Sequence, residues 1–469
     1  MPRRISWKIS LNRFNLLRDS TATGNLNREA AGILKFHTHP RRCALACFLL
    51  FAVLLPASAA ARPSSARGET ISVWHTFHDK EELALKTIVL AFNLDHKDQI
   101  RLVPMSHDGF TADVEKSLRA GRGPDLFIWA HDKVGEWMKS GLIAPLDNLL
   151  PPAARADYFE NCLSALTVRE KLYGLPFSFE TLILYYNKAL VPHPPVNTDE
   201  LIRLGQGLTD RSQGRYGLVY ERGNFYHHAM WFLGFGGRIF DAKGNFNVAT
   251  QEMKRSLEFA RDMATVHGLI PDTVDWKLQM KLFNAGNAAM LISGPWAHGG
   301  IDPRIDLGMA ILPFITESQK WSAPFLGVKG VYVSARSPRK RAAFDAAAFL
   351  TSDYGGATMN ILAGSLPANL KSYQNGAVAS DRRTAVFKEQ VLNAVPMPSD
   401  PAMKHVWKVM MTDPATMKPG CIDRVFLLNT SPDTACADAS REFTRALQGI
   451  ATPRSATYRG ADHTGSAPQ

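Results

Sequence analysis

Three short stretches carry the side chains that a small polyhydroxylated molecule would need. The first is residues 121–141, GRGPDLFIWAHDKVGEWMKSG. A Gly/Pro turn feeds an apolar run that ends at Trp129, and Ala130, His131, Asp132 and Lys133 follow it. An indole face packs against the C–H face of a sugar ring, a carboxylate accepts hydroxyl hydrogen bonds and an ammonium donates them. The second is residues 175–188, LPFSFETLILYYNK, where Glu180 stands between apolar neighbours. A carboxylate there is costly without partners, and those partners are either ligand hydroxyls or an internal base. The third is Ile292-Ser293-Gly294-Pro295-Trp296, an apolar run whose turn presents an aromatic ring. Each stretch also has a structural reading, with Trp129 and Trp296 in the core and Asp132 as the N-cap of the next helix.

Other chemistries are less supported. Asp132 and Glu180 would be the acid/base pair of a glycosidase, although paired carboxylates occur in any sugar binder. No G-x-S-x-G, P-loop, GxGxxG or HExxH motif is present. His75, His78, His107 and the pair His227-His228 are the candidate metal ligands. His75-x-x-His78 lacks the i,i+4 helical spacing of a zinc motif, so solvated or hydrogen-bonded histidines are the alternative.

The elements that must hold these groups follow from periodicity. Thr70–Phe77, Gln99–Met105 and Asp125–Trp129 read as strands. Asp79–Asn93, Thr111–Ala120 and Val134–Ser140 read as helices, with Leu85, Ile88 and Phe92 on one face of the first. This βαβαβ order predicts an α/β fold with a largely parallel sheet covered by helices. Leu126-Phe127-Ile128 is the continuous apolar run of a strand buried on both faces. Ligands in such sheets bind at the carboxyl ends of strands, which is where Trp129 to Lys133 fall. Further on, Leu182–Tyr186, Ala288–Ile292, Leu307–Leu312 and Gly330–Val333 read as strands. Gln251–His267, Trp276–Asn284, Ala342–Thr351 and Ala385–Leu392 read as helices. The Pro-, Asp- and Thr-rich stretch 411–439 reads as an inserted loop region, and residues 451–469 as a flexible tail.

The chain has 469 residues with ordinary globular composition, 45% apolar and 21% charged, which excludes a disordered or fibrous protein. Its one long apolar run, Cys43 to Pro56, is too short to span a bilayer, which takes about 20 residues. Arg41 and Arg42 before it and Ala57-Ser58-Ala59 after it give the anatomy of a secretory signal, so residues 1–61 are predicted to be a cleaved signal region with an extended amino-terminal part. Nine of the 54 Lys and Arg and two of the 43 Asp and Glu lie in that segment, leaving 45 against 41. A balance of +4 is no footprint for nucleic acid. Three of the five Cys remain after it. Cys421 and Cys436 bracket 14 residues and are the expected disulfide in an oxidising compartment, with Cys162 a buried thiol.

Read in order, several segments resemble the extracellular solute-binding proteins of ATP-driven importers, and most closely their maltodextrin-binding branch. The carriers are Gly123-Pro124-Asp125 through Trp129-Ala130-His131-Asp132, Phe179-Glu180-Thr181-Leu182, Tyr186-Asn187-Lys188, Phe283-Asn284-Ala285-Gly286, Gly294-Pro295-Trp296-Ala297, Pro324-Phe325-Leu326-Gly327 and Leu370-Lys371-Ser372-Tyr373. The similarity spans roughly residues 70–450. It implies a two-lobed periplasmic binding-protein fold of the type II kind, with a hinge crossed several times. The implied amino-terminal lobe is 68–178 plus 330–378, and the carboxyl-terminal lobe is 180–325 plus 383–450.

The resemblance further implies a non-catalytic subunit, without metal or cofactor, that binds maltose or maltodextrin between its lobes and delivers it to a membrane permease. Another sugar such as trehalose is the alternative. A monomer is implied, with a chemoreceptor as a further partner. The implied ligand residues are Asp79, Lys80, Trp129, Asp132, Lys133, Glu180, Tyr226, Trp296 and Trp407. This chain departs from the family pattern around that set. Lys133 replaces an Arg, Asn224 a Glu, Lys408 an aromatic, and Thr111 and Ala112 a pair of Glu. The loop before Asp79 is one residue longer, and Asp79 with Glu82 also fits a helix capping box.

Overall fold

Every second residue of Thr70–His75 is buried, the period-two pattern of a strand with one face against a core. This is β1 in a computed structural model that describes residues 68–451. The signal segment at 1–61 and the tail beyond 451 lie outside the described residues. α1 (Asp79–Asp95) follows and buries Ala84, Leu85, Ile88, Val89 and Phe92 at helical spacing. Next come β2 (Gln99–Pro104), α2 (Phe110–Arg119), β3 (Leu126–Ala130) and α3 (Val134–Lys139). The rest of the chain supplies, among other elements, β4 (Leu175–Glu180), β5 (Ile183–Asn187), β6 (Tyr216–Val219), α4 (Phe225–Gly234), α5 (Gln251–Thr265) and α6 (Trp276–Asn284). β7 (Ala288–Ser293), β8 (Leu307–Ala310), β9 (Phe325–Val333), α7 (Lys340–Leu350), α8 (Asp353–Ala363), β10 (Leu366–Pro367) and β11 (Val395–Pro396) follow. α9 (Met403–Met410), α10 (Cys421–Phe426) and α11 (Pro432–Ala451) end the described chain.

Two main sheets result. The larger has the order β10-β4-β9-β3-β1-β2, with β11 beside β9. β1 pairs in parallel with β2 and β3, as the βαβ crossovers require. β9 runs antiparallel to both β3 and β4, so the sheet is mixed where the βαβαβ order alone predicts a largely parallel one. The cause is the path of the chain. β9 returns after a second sheet has been built, and re-enters where β4 left, with Gly327 opposite Glu180. The smaller sheet has the order β8-β5-β7-β6.

Alternation along β5 divides two cores. Ile183 and Tyr185 join a cluster that contains Val73, Phe127 and Val331 of the larger sheet, whereas Leu184 and Tyr186 join one with Trp231, Leu257 and Ile422. The chain passes between the sheets at Thr181-Leu182, at Pro324-Phe325 and again near β11. These passages are tied together. The buried Thr181 hydroxyl donates to the Phe325 carbonyl at 2.9 Å. His131 accepts from the Val328 amide at Nδ1 (3.1 Å), so its proton sits on Nε2 and is donated to the Met397 carbonyl (2.8 Å). Burial lowers the pKa of this imidazole and keeps it neutral, the hydrogen bonds acting the other way.

Asp125, at the turn into β3, accepts from the Ser72 amide and hydroxyl (both 2.9 Å), the Ser337 hydroxyl (2.7 Å) and Arg339 (3.1 Å). Burial would raise its pKa, but these donors outweigh it and hold the carboxyl below its ordinary value. The Gly-Pro-Asp motif is therefore a fastening that fixes where β3 begins. Arg339 lies in a basic run, Arg336-Ser337-Pro338-Arg339-Lys340-Arg341, and this ion pair occupies one of its charges. The stretch 411–439 is more helical than its composition predicts, since it contains α10 and the start of α11. Pro432-Asp433 suits the first turn of a helix, and Ala435, Cys436, Ala439 and Phe443 form the buried face behind it.

Candidate functional site

The carboxyl end of β3 opens on a cleft of about 640 Å³. Trp129, Ala130, His131 and Asp132 line it from the larger sheet, and Glu180, Gly327 and Met397 from the passages between sheets. Tyr226, His227, Asn224, Glu221, Trp276 and Trp296 line it from the other half. Trp129 is backed by Phe110, their rings stacked at 5.0 Å and 22°, and by His107 at 5.0 Å. Trp296 is 42% exposed, so its indole is available to a ligand. Gly294 makes that pose possible, because a Cβ there would stand 2.3 Å from the Trp296 ring. The Tyr185 hydroxyl holds the same turn by donating to the Gly294 carbonyl at 3.0 Å. Tyr226 crosses Trp296 edge to face at 6.0 Å and is packed on Phe325 at 5.8 Å. Its backbone amide is capped by Asn224, so this Asn spends its side-chain oxygen on starting α4.

The charges are arranged around Glu180. The β9–β4 ladder slips between Lys329 and Gly330, an irregularity of the kind that re-aims a side chain. The Lys329 ammonium reaches Glu81 at 3.3 Å and Glu180 at 3.5 Å, and lies 5.4 Å from the Phe77 ring centroid. Burial alone would lower the Lys329 pKa, but Glu180 and Glu81 together hold it above its ordinary value. The surrounding protein raises the Asp132 carboxyl, with Lys133 opposing, and burial followed by Asp275 raises Glu221. Burial pushes the His227 and His228 imidazoles down to about 3, which makes both neutral at pH 7.

Five of the nine residues implied by the resemblance meet in this cleft: Trp129, Asp132, Glu180, Tyr226 and Trp296. The other four do not line it. Asp79 and Lys80 begin α1, where the Asp79 side chain is 90% exposed and lies 3.2 Å from His78. No capping box forms there, since His78 is the N-cap and Glu82 pairs with Lys86 at 2.7 Å. Lys133 is paired with Glu136 at 2.9 Å. Trp407 packs on Phe225 and Phe325 at 5.7 and 6.2 Å. The Cys421 and Cys436 sulfurs stand 3.9 Å apart as buried thiols on adjoining helices, so the expected bridge is not present as a bond. Among the described residues no group of three or more His, Cys, Asp or Glu is placed to hold a metal.

Sequence reasoning missed Lys329, Glu221 and Trp276, and took His227 only as a candidate metal ligand. Glu221 follows β6, a strand parallel to β7, and was open to the same carboxyl-end argument as Asp132. Trp276 follows the capping residue Asp275 at a helix start. For Lys329 no local signal exists, because its partners lie 248 and 149 positions earlier in the chain.

Aromatic rings and carboxylates facing each other across a cleft between two α/β halves define a binding protein for a small polar solute. The chain belongs to the bacterial extracellular solute-binding proteins, whose family model matches residues 79–357. It is 27% identical over 341 residues to the maltotriose-binding protein of Pyrococcus abyssi, covering 72% of this chain and 75% of that one. It is also 27% identical over 395 residues to the galactooligosaccharide-binding protein of Bacillus subtilis, covering 81% and 92%. Among solved structures it is similar to a cyclo/maltodextrin-binding protein complexed with maltotetraose, with TM-score 0.75, 26% identity and coverage of 82% and 99%. The maltotriose-binding protein of Thermus thermophilus gives TM-score 0.63, 27% identity and coverage of 80% and 100%. The family expected from the motifs is thus the one observed, and the fold is its two-lobed α/β fold. Membership places the chain among solute binders and not among glycosidases.

Proposed function

We propose that this protein is the substrate-binding subunit of an ABC importer, working in the periplasm as a monomer that captures maltose or maltodextrins and hands them to a membrane permease. The observation that carries this is the cleft itself, in which Trp129 and Asp132 on one side face Tyr226 and Trp296 on the other, with Glu180 between them. Its volume is in the range of small-molecule sites. The relatives named for maltotriose and maltodextrin support the choice of sugar. In this reading the lobes are 68–178 plus 330–378 and 180–325 plus 383–450, and Asp132 and Glu180 accept sugar hydroxyls without chemistry. Cys421 and Cys436 join on export, which a mass measurement on non-reduced exported protein checks.

The test is calorimetry against maltose, maltotriose, trehalose, cyclodextrin and a galactooligosaccharide. Micromolar binding of an α-glucan is expected, about −8 kcal/mol. Trp296→Ala is expected to weaken it by about 1–3 kcal/mol, the loss of one stacked ring face. No heat with any α-glucan removes this reading, and preference for the galactooligosaccharide replaces it.

A further inference from the structure

We infer that the cavity between α9, residues 413–419 and α11 is a second binding site, separate from the cleft, that takes a phosphate group carried either free or on a lipid headgroup. It does not depend on which solute the cleft holds.

The cavity measures about 420 Å³ and shares no lining residue with the cleft. α9 divides its side chains between two surroundings. Met403, Val406 and Met410 are buried and Trp407 packs on Phe225 and Phe325, whereas Lys404, His405 and Lys408 line the cavity from the other side of the helix. Lys418 joins them from the loop that follows. Like charges at i,i+4 repel, so Lys404 and Lys408 on one cavity wall are unfavourable unless a negative group lies between them. The protein does not supply that group. Among the described residues Lys404 forms no ion pair, and Lys408 stands 3.7 Å from Asp413, beyond hydrogen-bond reach. Asp413 instead accepts from the Ala415 amide at 2.9 Å and the Thr416 amide at 3.3 Å. Glu442, the other carboxylate on the wall, is taken by Arg424 at 2.7 Å and Lys418 at 2.8 Å. His405 meets Phe443 edge to face at 6.3 Å, and its Nε2 is buried without a hydrogen-bond partner. Burial, followed by Lys404 and Lys408, lowers the pKa of this imidazole, which is therefore neutral at pH 7 with unspent hydrogen-bonding capacity.

The chemistry selects the ligand class. A phosphate dianion has enough oxygens to accept from both ammoniums and the imidazole at once, and lysine serves phosphate as a point charge. A monocarboxylate brings one charge against two, and a neutral sugar leaves both unanswered. The cavity is roomier than one phosphate needs, which leaves space for the alcohol of a phosphate ester.

The test is calorimetry with inorganic phosphate, with potassium chloride at equal ionic strength as control, and co-sedimentation with phosphatidylcholine vesicles with and without phosphatidate. Saturable binding is expected with a phosphate probe and none with chloride. Lys404→Ala and Lys408→Ala should each weaken it by about threefold or more, whereas Lys116→Ala, an exposed lysine of α2 outside this cavity, should leave it unchanged, with circular dichroism confirming that each folds. The His405 ring resonances, assigned through His405→Gln, should move with phosphate and not with chloride. Binding of inorganic phosphate assigns the free anion, and binding of phosphatidate vesicles alone assigns the headgroup. Either supports the site when Lys404→Ala weakens it. Failure of both probes to bind, or equal losses in Lys404→Ala and Lys116→Ala, overturns it.

Discussion

At the scale of single residues, the cleft depends on Lys329 as much as on the rings. Its ammonium is the bridge between Glu81 and Glu180, and all three side chains are only partly buried, so the Coulombic gain is modest. Its positional effect is larger. Lys329→Met leaves Glu180 without the cation beside it, and α-glucan affinity is expected to fall by about 0.5–1.5 kcal/mol, measured by calorimetry. Because the Lys329 pKa is raised, the bridge is complete at neutral pH and is lost only as pH climbs through that raised value. Unchanged affinity in Lys329→Met would make the bridge merely structural. Trp129, Glu180 and Trp296 were legible in the sequence because each sits in a local pattern: a strand end, an apolar run interrupted by charge, or a Gly-Pro turn. Lys329 was not legible, since a bulge and a distant strand pairing aim it. Asp79 and Lys80 were named from the motif, and the structure places them at the start of α1, next to Glu81 and outside the set of residues that line the cleft.

At the scale of elements, α4 is the helix whose composition sets the pH response. It buries Phe225, His227, His228, Ala229, Met230, Trp231 and Phe232, which leaves two imidazoles inside an apolar surround. His228 is anchored at Nε2 to the Ser256 hydroxyl at 3.1 Å. In the unfolded chain both titrate near 6.5, and in the folded chain near 3. Between those values the unfolded state binds more protons, so stability rises with pH through that window and is lost as pH falls below about 6.5. The melting temperature is expected to drop from pH 7 to pH 4, and His228→Asn to flatten that slope whatever it costs at pH 7. A slope unchanged in the variant would assign the acid response to other groups. Most elements could be read from period alone, and α6 was read with both ends correct. β4 was missed because Pro176 and Glu180 disguise it, although five of its six residues are buried. α10 and the start of α11 were read as loop, because helix-start residues such as Pro432 and Asp433 count as loop formers until the buried face behind them is known.

At the scale of the whole molecule, the proposed function requires that the two halves of the cleft move toward a common ligand. A sugar that touches Trp129 and Asp132 on one side and Tyr226 and Trp296 on the other makes its full set of contacts only when the halves are close. Its binding energy therefore favours that arrangement, and only by the difference in contacts. For such closure the joint must bend without coming apart, and the buried Thr181 hydroxyl bonded to the Phe325 carbonyl links two of the passages across which that bending would occur. Adding saturating maltodextrin is expected to reduce the radius of gyration in solution scattering and to change tryptophan fluorescence in the same concentration range. Thr181→Val removes the link and leaves a buried carbonyl without that donor, which should lower stability by about 1–2 kcal/mol. It should also shift the ligand concentration at which compaction occurs, while leaving the order of preference among sugars unchanged, because none of the cleft-lining side chains is altered. A radius of gyration that stays constant at saturation, with calorimetry showing the sugar bound, would mean that the cleft is a fixed groove and that capture does not proceed by closure.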